Sequence, residues 1–297
     1  MDALKSNYSL AYKIPLLTAI AAILIAVPLR VYQYIKLINP DTGFYDKKDL
    51  TVFVVYAVLA LGIALPIVFS YIHHKSIPVI DISKNTKPYS VVSLVMALGA
   101  LVDTFGLFGS FMNLVNDAPK YLSLSDLFEY ISAQGGTLIL IQAVFAMISS
   151  FYFVVSALTV INKDAKKLQF RILALAPVIW CVFRLLFRFK RTIAFVNVSD
   201  LLIELFAIVF AMVFFLALAQ IKAKIDADNI FWKLFAYGLP AAMLSVICFV
   251  PKFILVITGK SELINPMHEI NFSDITFAVY AMYICISSVK APTKSED

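Results

Sequence analysis

Three arginines, Arg184, Arg188 and Arg191, follow one another at intervals of four and three residues. In a helix, this spacing places the three guanidinium groups on one face. Asp200 and Glu204, four residues apart, come shortly afterwards and are expected on one face of the next helix. Guanidinium groups bind carboxylates and phosphates bidentately. The pattern indicates either a site for an anion or lipid headgroup, or arginines anchored at a membrane boundary and partly neutralised by the two acids.

Three further charged residues, Arg30, Asp103 and Lys252, lie inside long apolar runs. A charge within a membrane span is costly, so it usually faces the protein interior or a water-filled cavity. The alternative is a buried ion pair that only fixes helix positions. The candidate ligand-binding residues are Arg30, Asp103, Arg184, Arg188 and Lys252, and Asp200 and Glu204 are the candidates for pairing with or orienting them.

Asp103 lies near the middle of its apolar run, on a helix face shared by spacing with Gly99, Gly106, Ser110 and Asn113. A stripe of small and polar residues marks the side of a span that packs on other helices or lines a cavity. We therefore predict that Asp103 faces the interior. There it could pair with an in-span cation or titrate in proton coupling.

The elements that position these residues are eight long apolar runs. The chain of 297 residues is 61% hydrophobic and 15% charged, against roughly 25% charged in soluble domains. A membrane helix needs about 20 mostly apolar residues, whereas barrel strands alternate apolar and polar residues. The sequence therefore predicts an all-α polytopic membrane protein, a single integral membrane domain over residues 1–297. The runs are Ile14–Ile35, Leu50–Ile72, Tyr89–Val115, Thr137–Ile161, Ile172–Phe189, Leu201–Ile221, Phe231–Thr258 and Phe272–Val289.

The short connections predict four consecutive helical hairpins. Each outgoing helix carries one of the charges Arg30, Asp103, Arg184 and Lys252, and an acidic residue follows near the start of the returning helix. Those acids are Asp49, Asp126, Asp200 and Asp274. The order fits internal repeats of the kind found in transporters, but any eight-span protein can be divided into four hairpins, and Asp is a favoured helix N-cap. In the longest loop we predict a short surface helix capped by Ser125.

The distribution of basic residues predicts the orientation. The termini and the loops expected on their side hold 14 of the 25 Lys and Arg residues, and the opposite loops hold seven. Because positive charge accumulates on the cytoplasmic side, we expect both termini in the cytoplasm and the protein in the cell membrane. Lys190 and Arg191 are exceptions, since they fall on the outer side.

The sequence contains no motif typical of metal binding, cofactor binding or the common classes of enzyme. Cys181, Cys248 and Cys285 all lie in apolar runs without metal-ligand spacing, so we expect no metal and no cofactor. No hydrolase, metalloprotease, phosphate-loop or dinucleotide motif is present. Enzymatic activity therefore stays uncertain, with the sequence favouring its absence. The positive charge has a topological explanation and does not predict a nucleic-acid partner.

The leading hypothesis is an outward-facing polar site within the helix bundle that binds or transports a small anionic or zwitterionic solute. The four in-span charges include three cations and one acid, and this imbalance motivates the anionic ligand. One alternative is a lipid-headgroup-binding protein or enzyme, with phosphate held by the arginine cluster. The other is an accessory or structural subunit of a membrane complex. The expected partners are membrane lipids, the solute, or other membrane subunits.

Overall fold

The computed structural model describes residues 2–39, 45, 48–74, 87–119, 123–161, 171–191, 198–223, 225, 227–264 and 270–287. Within these ranges the regular structure is helical. The α-helices are α1 (Asp2–Lys36), α2 (Leu50–Ile72), α3 (Lys87–Asn116), α4 (Leu124–Ala133), α5 (Gly136–Ile161), α6 (Ala176–Arg191), α7 (Val198–Ala223), α8 (Ala227–Ile257) and α9 (Phe272–Ser287). A 3-10 turn, Arg171–Leu175, leads directly into α6.

Seven helices, α1, α2, α3, α5, α6, α7 and α8, are long and apolar enough to cross a membrane. This confirms a helical bundle of the membrane type. The eighth apolar run forms α9, which has 16 residues within the described part of the chain. Eight crossings and the four-hairpin arrangement therefore stay predictions, although α1 packs on α2, α3 on α5, α6 on α7 and α8 on α9.

Large apolar side chains cover the outside of the bundle, and they indicate the kind of solvent that surrounds it. Leu24, Phe53, Leu61, Leu98 and Phe105 are all more than half exposed in the isolated chain. Water-soluble proteins seldom expose contiguous apolar surface of this extent. Burying it requires hydrocarbon, so the fold indicates an integral membrane protein.

Helix α8 packs against more helices than any other described helix. It packs against α1, α2, α7 and α9, whereas α6 packs mainly on α5 and α7. Helix α9 also packs on α3, α3 on α5, α5 on α6 and α6 on α7. Together with α8, these helices form a ring of six around a common interior. The hairpin of α1 and α2 lies against α8 outside this ring.

Aromatic side chains fill the middle of the interior. The ring centroid of Phe215 lies 5.9 Å from that of Phe153 and 5.1 Å from that of Phe277. Phe214 and Tyr280 belong to the same group, and both are fully buried. This apolar layer separates two polar regions, one towards each end of the bundle.

The close approach of α3 and α9 depends on Gly99. A Cβ atom built on Gly99 would lie 2.0 Å from the hydroxyl oxygen of Thr276. Only glycine therefore allows the start of α9 to reach α3 at this depth. The predicted stripe is buried at Gly99 and Asp103, but Gly106 and Asn113 are exposed, so its extension along α3 was wrong.

The loop between α3 and α5 contains the predicted short helix, with a different cap. Helix α4 begins at Leu124, and its N-cap is Ser123, whose hydroxyl accepts a hydrogen bond from the backbone N–H of Asp126 at 3.3 Å. The prediction of Ser125 as the cap was therefore wrong by two residues. Ser125 instead shares a hydrogen bond with the Ser123 hydroxyl.

Candidate functional site: a buried charge cluster at one end of the bundle

Arg184 of α6 and Asp274 of α9 form a bidentate ion pair. The two terminal guanidinium nitrogens donate to the two carboxylate oxygens at 2.7 and 2.9 Å. Both side chains are 12% exposed. The pair joins two helices that are far apart in sequence, with Asp274 in the first turn of α9. The sequence identified Asp274 only as an acid near a helix start, so this partner of Arg184 was missed.

Glu204 of α7 lies between Arg184 and Arg188. Arg188 donates from Nε to Glu204 Oε1 at 2.9 Å, and its Nη2 lies 2.8 Å from the same oxygen. Arg184 Nη2 is 3.6 Å from that oxygen. The helical spacing of the arginines and the short connection between α6 and α7 thus correctly brought these three residues together. The side chain of Arg191 lies outside the described residues.

Asp200 does not face the arginines of α6. It forms an ion pair with Arg30 of α1, and the Tyr34 hydroxyl donates to Asp200 Oδ2 at 2.7 Å. Arg30 also donates to Gln33 Oε1 and to the Tyr45 hydroxyl, each at 2.9 Å. The predicted pairing of Asp200 with Arg184 or Arg188 was therefore wrong, because side chains of α1 reach Asp200 at the start of α7.

Asp103 is buried and faces the interior, as predicted, but its partners are backbone groups. Its carboxylate accepts hydrogen bonds from the backbone N–H of Phe272 at 2.8 Å and of Ser273 at 3.1 Å. These are the first N–H groups of α9, which have no partners within their own helix. Asp103 thus acts as an N-cap supplied by another helix and interacts with the positive end of the helix dipole. An ion pair with Arg30, Arg184 or Lys252, which was one of the two roles that the sequence allowed, is not present.

Lys252 differs from the three arginines in having no carboxylate partner among the described residues. It is 5% exposed, yet no carboxylate in the described ranges lies within ion-pair distance of it. It lies one helical turn from Cys248, which is also near Asp274, Glu204 and Arg30. Ser245 is two turns away on the same face of α8 and lines the cavity described below. Lys252 thus places an unpaired ammonium beside the ion-paired residues.

We call these eight residues the charge cluster: Arg30, Asp103, Arg184, Arg188, Asp200, Glu204, Lys252 and Asp274. Four side chains are cationic and four are acidic, so the cluster is balanced when all are ionised. The excess of positive charge inferred from the in-span residues alone is therefore removed by Asp200, Glu204 and Asp274. A balanced cluster is better suited to a neutral or zwitterionic ligand than to a purely anionic one.

A cavity of about 20 Å³ adjoins the Arg184–Asp274 pair. One ordered water needs roughly 10–15 Å³ of such volume, so the cavity holds one or two waters at this size. Its lining includes Arg184, Asp274, Ser273, Trp180 and Ser245. The indole N–H of Trp180 and the hydroxyl of Ser273 are buried and have no hydrogen-bond partner among the described residues. The cavity is therefore small and mostly apolar, and two of its few polar groups are donors without an acceptor among the described residues.

The fold and the site define a class of protein: an α-helical integral membrane protein with a buried, charge-balanced polar cluster at one end of its bundle. Comparisons with protein-family models, with curated proteins and with solved structures found no match to this chain. The function of this chain therefore has to be inferred from its own residues.

Proposed function

We propose that this membrane protein binds a small solute that is zwitterionic, or anionic, at the charge cluster, and carries it across the membrane. The observation that carries the proposal is the position of the Arg184–Asp274 pair in the wall of the cavity. Removing one partner of a buried ion pair leaves an uncompensated charge. A zwitterion avoids this cost because its carboxylate can replace Asp274 on Arg184 while its ammonium group replaces Arg184 on Asp274.

Other groups around the cavity fit the same class of ligand. The Trp180 indole N–H and the Ser273 hydroxyl are both available as donors to a carboxylate. Lys252 offers a further cation two turns along α8 from the cavity, where it would attract a solute that carries an additional negative charge. These donors support a ligand with at least one carboxylate or similar anionic group.

The cavity has to enlarge before it can hold any solute. Helix α6, which carries Arg184 and Arg188, has fewer neighbours than α8, and its contacts are mainly with α5 and α7. We infer that α6 moves outward when the Arg184–Asp274 pair separates, and that the described conformation is the closed one. The ion pair would then close the site until a solute with matching charges replaces it.

The orientation belongs to the same proposal. With both termini in the cytoplasm, the end of the bundle where α6 ends and α7 begins faces outward, and the site would open away from the cytoplasm. In a cysteine-free background, a Cys placed at Ser123 or Ser261 should react with an impermeant reagent added to intact cells. A Cys at Lys84 or Lys166 should react only after permeabilisation, and the reverse pattern would overturn the orientation.

The binding proposal is tested with matched small molecules on purified protein. The probes are a panel of L-α-amino acids, the carboxylates acetate and propionate, and ethylamine. We expect zwitterions to raise the melting temperature more than the carboxylates do, and ethylamine to have no effect. Arg184→Lys should weaken binding, because an ammonium cannot reproduce the bidentate contact. Arg191→Lys is the matched control, and equal responses of the two variants, or no response to any probe, would contradict the proposal.

A second candidate function is that of an accessory subunit, in which the charge cluster only holds the helices in place. It is favoured by the completeness of the pairing, since Arg30, Arg184 and Arg188 all have carboxylate partners. The same contacts speak against phosphate binding by Arg184 and Arg188, because both guanidinium groups are directed at interior acids. Stable co-purification with another membrane protein, together with failure of every small-molecule probe, would support the accessory role.

A further inference from the structure

A second polar region surrounds Lys222, near the opposite end of the bundle. Lys222 lies in the last turn of α7, 22 residues after Asp200, so about 33 Å of helix separates them. Its ammonium donates to the hydroxyl of Tyr89 at 3.0 Å and to that of Ser156 at 3.2 Å. Tyr152 also lies close, with its ring centroid 5.1 Å from the ammonium. The site thus joins α3, α5 and α7.

The contact with Tyr89 is a hydrogen bond to the phenol and not a contact with the ring face. The ammonium lies 5.6 Å from the centroid of the Tyr89 ring but only 3.0 Å from the hydroxyl oxygen. An ammonium above the ring face would be farther from the oxygen than from the centroid. The geometry therefore describes a cation held by hydroxyl groups, and it does not define an aromatic cage for alkylammonium ligands.

Lys222 has no counter-ion among the described side chains. The four ion-pair contacts between described residues all lie in the charge cluster. A lysine in the last turn of a membrane helix usually extends its ammonium outward to the headgroups. Lys222 instead turns its ammonium inward, against the buried side chains of Tyr89 and Tyr152. A positive charge in this position lacks the compensation that the arginines at the other end have.

The surrounding hydroxyl groups retain protons for a further acceptor. The oxygens of Tyr89 and Ser156 accept hydrogen bonds from Lys222, so their own hydrogens point elsewhere. The hydroxyl of Tyr280 and that of Ser93, one helical turn after Tyr89, are buried and lie close to the Tyr89 hydroxyl, but neither forms a well-aligned hydrogen bond with a described residue. The region therefore combines one cation with several hydroxyl donors, and no described acidic side chain forms an ion pair with that cation.

We infer that this group, the Lys222 cluster of Lys222, Tyr89, Tyr152, Ser156, Ser93 and Tyr280, is a binding site for one small monovalent anion such as chloride. The anion pairs with the ammonium and accepts hydrogen bonds from the hydroxyls around it. Because the side chains of Tyr89, Tyr152 and Tyr280 are all buried, we expect the site to admit a small ion and to exclude larger anions. The inference does not depend on the solute proposed for the charge cluster.

Chloride is the probe, and sodium gluconate at equal ionic strength is the comparison salt. We expect the melting temperature of the purified protein to rise saturably with chloride and to stay constant with gluconate, since a ligand of the native state stabilises it. Lys222→Met should abolish the response or weaken the apparent affinity at least about tenfold. Tyr89→Phe, which removes one hydroxyl, should weaken it less.

Lys87→Met is the matched control, because Lys87 lies at the same end of α3 as Tyr89 but is exposed. It should keep the chloride response of the wild type, and so should Lys222→Arg, which retains the charge. If Lys222→Met does not fold, Tyr89→Phe and Ser156→Ala provide the same comparison. Equal melting temperatures in chloride and gluconate, or an unchanged response in Lys222→Met or in both hydroxyl variants, would overturn the inference. Amino-acid binding that depends on Arg184 tests the charge cluster separately.

Discussion

The two polar regions stabilise buried positive charge within the bundle in different ways. In the charge cluster, each of the three arginines is directly bonded to a carboxylate from another helix, and Asp103 caps α9. In the Lys222 cluster, a lysine is held by neutral hydroxyl groups. The arginines of the first region are already paired, so a ligand that binds them has to replace existing bonds, and only Lys252 of its cations has no carboxylate partner among the described residues. The second is unsatisfied, so a ligand can add to it without breaking an ion pair.

This difference predicts the largest effect for the Arg184–Asp274 pair. Asp274→Ala leaves a buried guanidinium with only the 3.6 Å contact to Glu204, and should lower the free energy of unfolding by about 3–5 kcal/mol. The double variant Arg184→Met with Asp274→Leu should recover most of that loss, because no uncompensated charge remains. Unfolding titrations in mixed detergent micelles measure both. A double variant as unstable as Asp274→Ala would show that the pair contributes by packing and not by charge.

A smaller effect is expected at the contact that brings α9 to the charge cluster. The Cβ atom of Gly99→Ala would clash with Thr276, so this variant should be destabilised by about 1–3 kcal/mol. Gly109→Ala on the same helix is the control, since a Cβ there meets no atom within 4 Å. It should be neutral or slightly stabilising, because alanine favours the helix. Equal stability of the two variants would contradict the close packing of α3 against α9.

Two substitutions at Asp103 test whether it stabilises α9 as an N-cap or through its negative charge. Asp103→Ala removes the cap of α9 and should cost about 0.5–2 kcal/mol. Asp103→Asn keeps an oxygen that can accept from Phe272 or Ser273 and should cost less. Unfolding titrations of the two variants, compared with the wild type, measure this difference. If Asp103→Asn were as unstable as Asp103→Ala, the negative charge itself would be the stabilising feature.

The sequence predicts features that depend on neighbouring residues better than contacts between residues that are distant in the chain. Hydropathy is local, so it located the apolar helices, and the cost of in-span charge identified Arg30, Asp103, Arg184 and Lys252 as inward-facing candidates. The pairing of Arg188 with Glu204 was also predictable, because helical spacing and a short connection determine which faces of α6 and α7 meet. Two details were wrong at this local level: the cap of α4, and the extension of the α3 stripe to Gly106 and Asn113.

The remaining contacts join helices that are distant in sequence, and no local pattern specifies them. Asp200 pairs with Arg30 because α1 reaches α7, and Arg184 pairs with Asp274 because α6 reaches α9. Tyr34, one turn after Arg30, was a signal that could have been read, since a tyrosine at that spacing can share the partner of the arginine. Lys222 was counted only as a topological charge, because its inward direction depends on tyrosines from α3 and α5.

The native cysteines allow the most direct test of the proposed opening at the charge cluster. Cys181 lines the cavity beside Arg184. Cys285 lies on the far side of the aromatic layer, where its buried thiol donates a hydrogen bond to the Leu234 carbonyl oxygen. Two single-cysteine variants, one retaining Cys181 and one retaining Cys285, are exposed in intact cells to an impermeant methanethiosulfonate reagent. The account predicts that Cys181 reacts from outside, more slowly when a bound amino acid occupies the cavity, and that Cys285 does not react. Labelling of Cys181 that is no faster than that of Cys285, or that requires access from the cytoplasm, would contradict an outward-opening site.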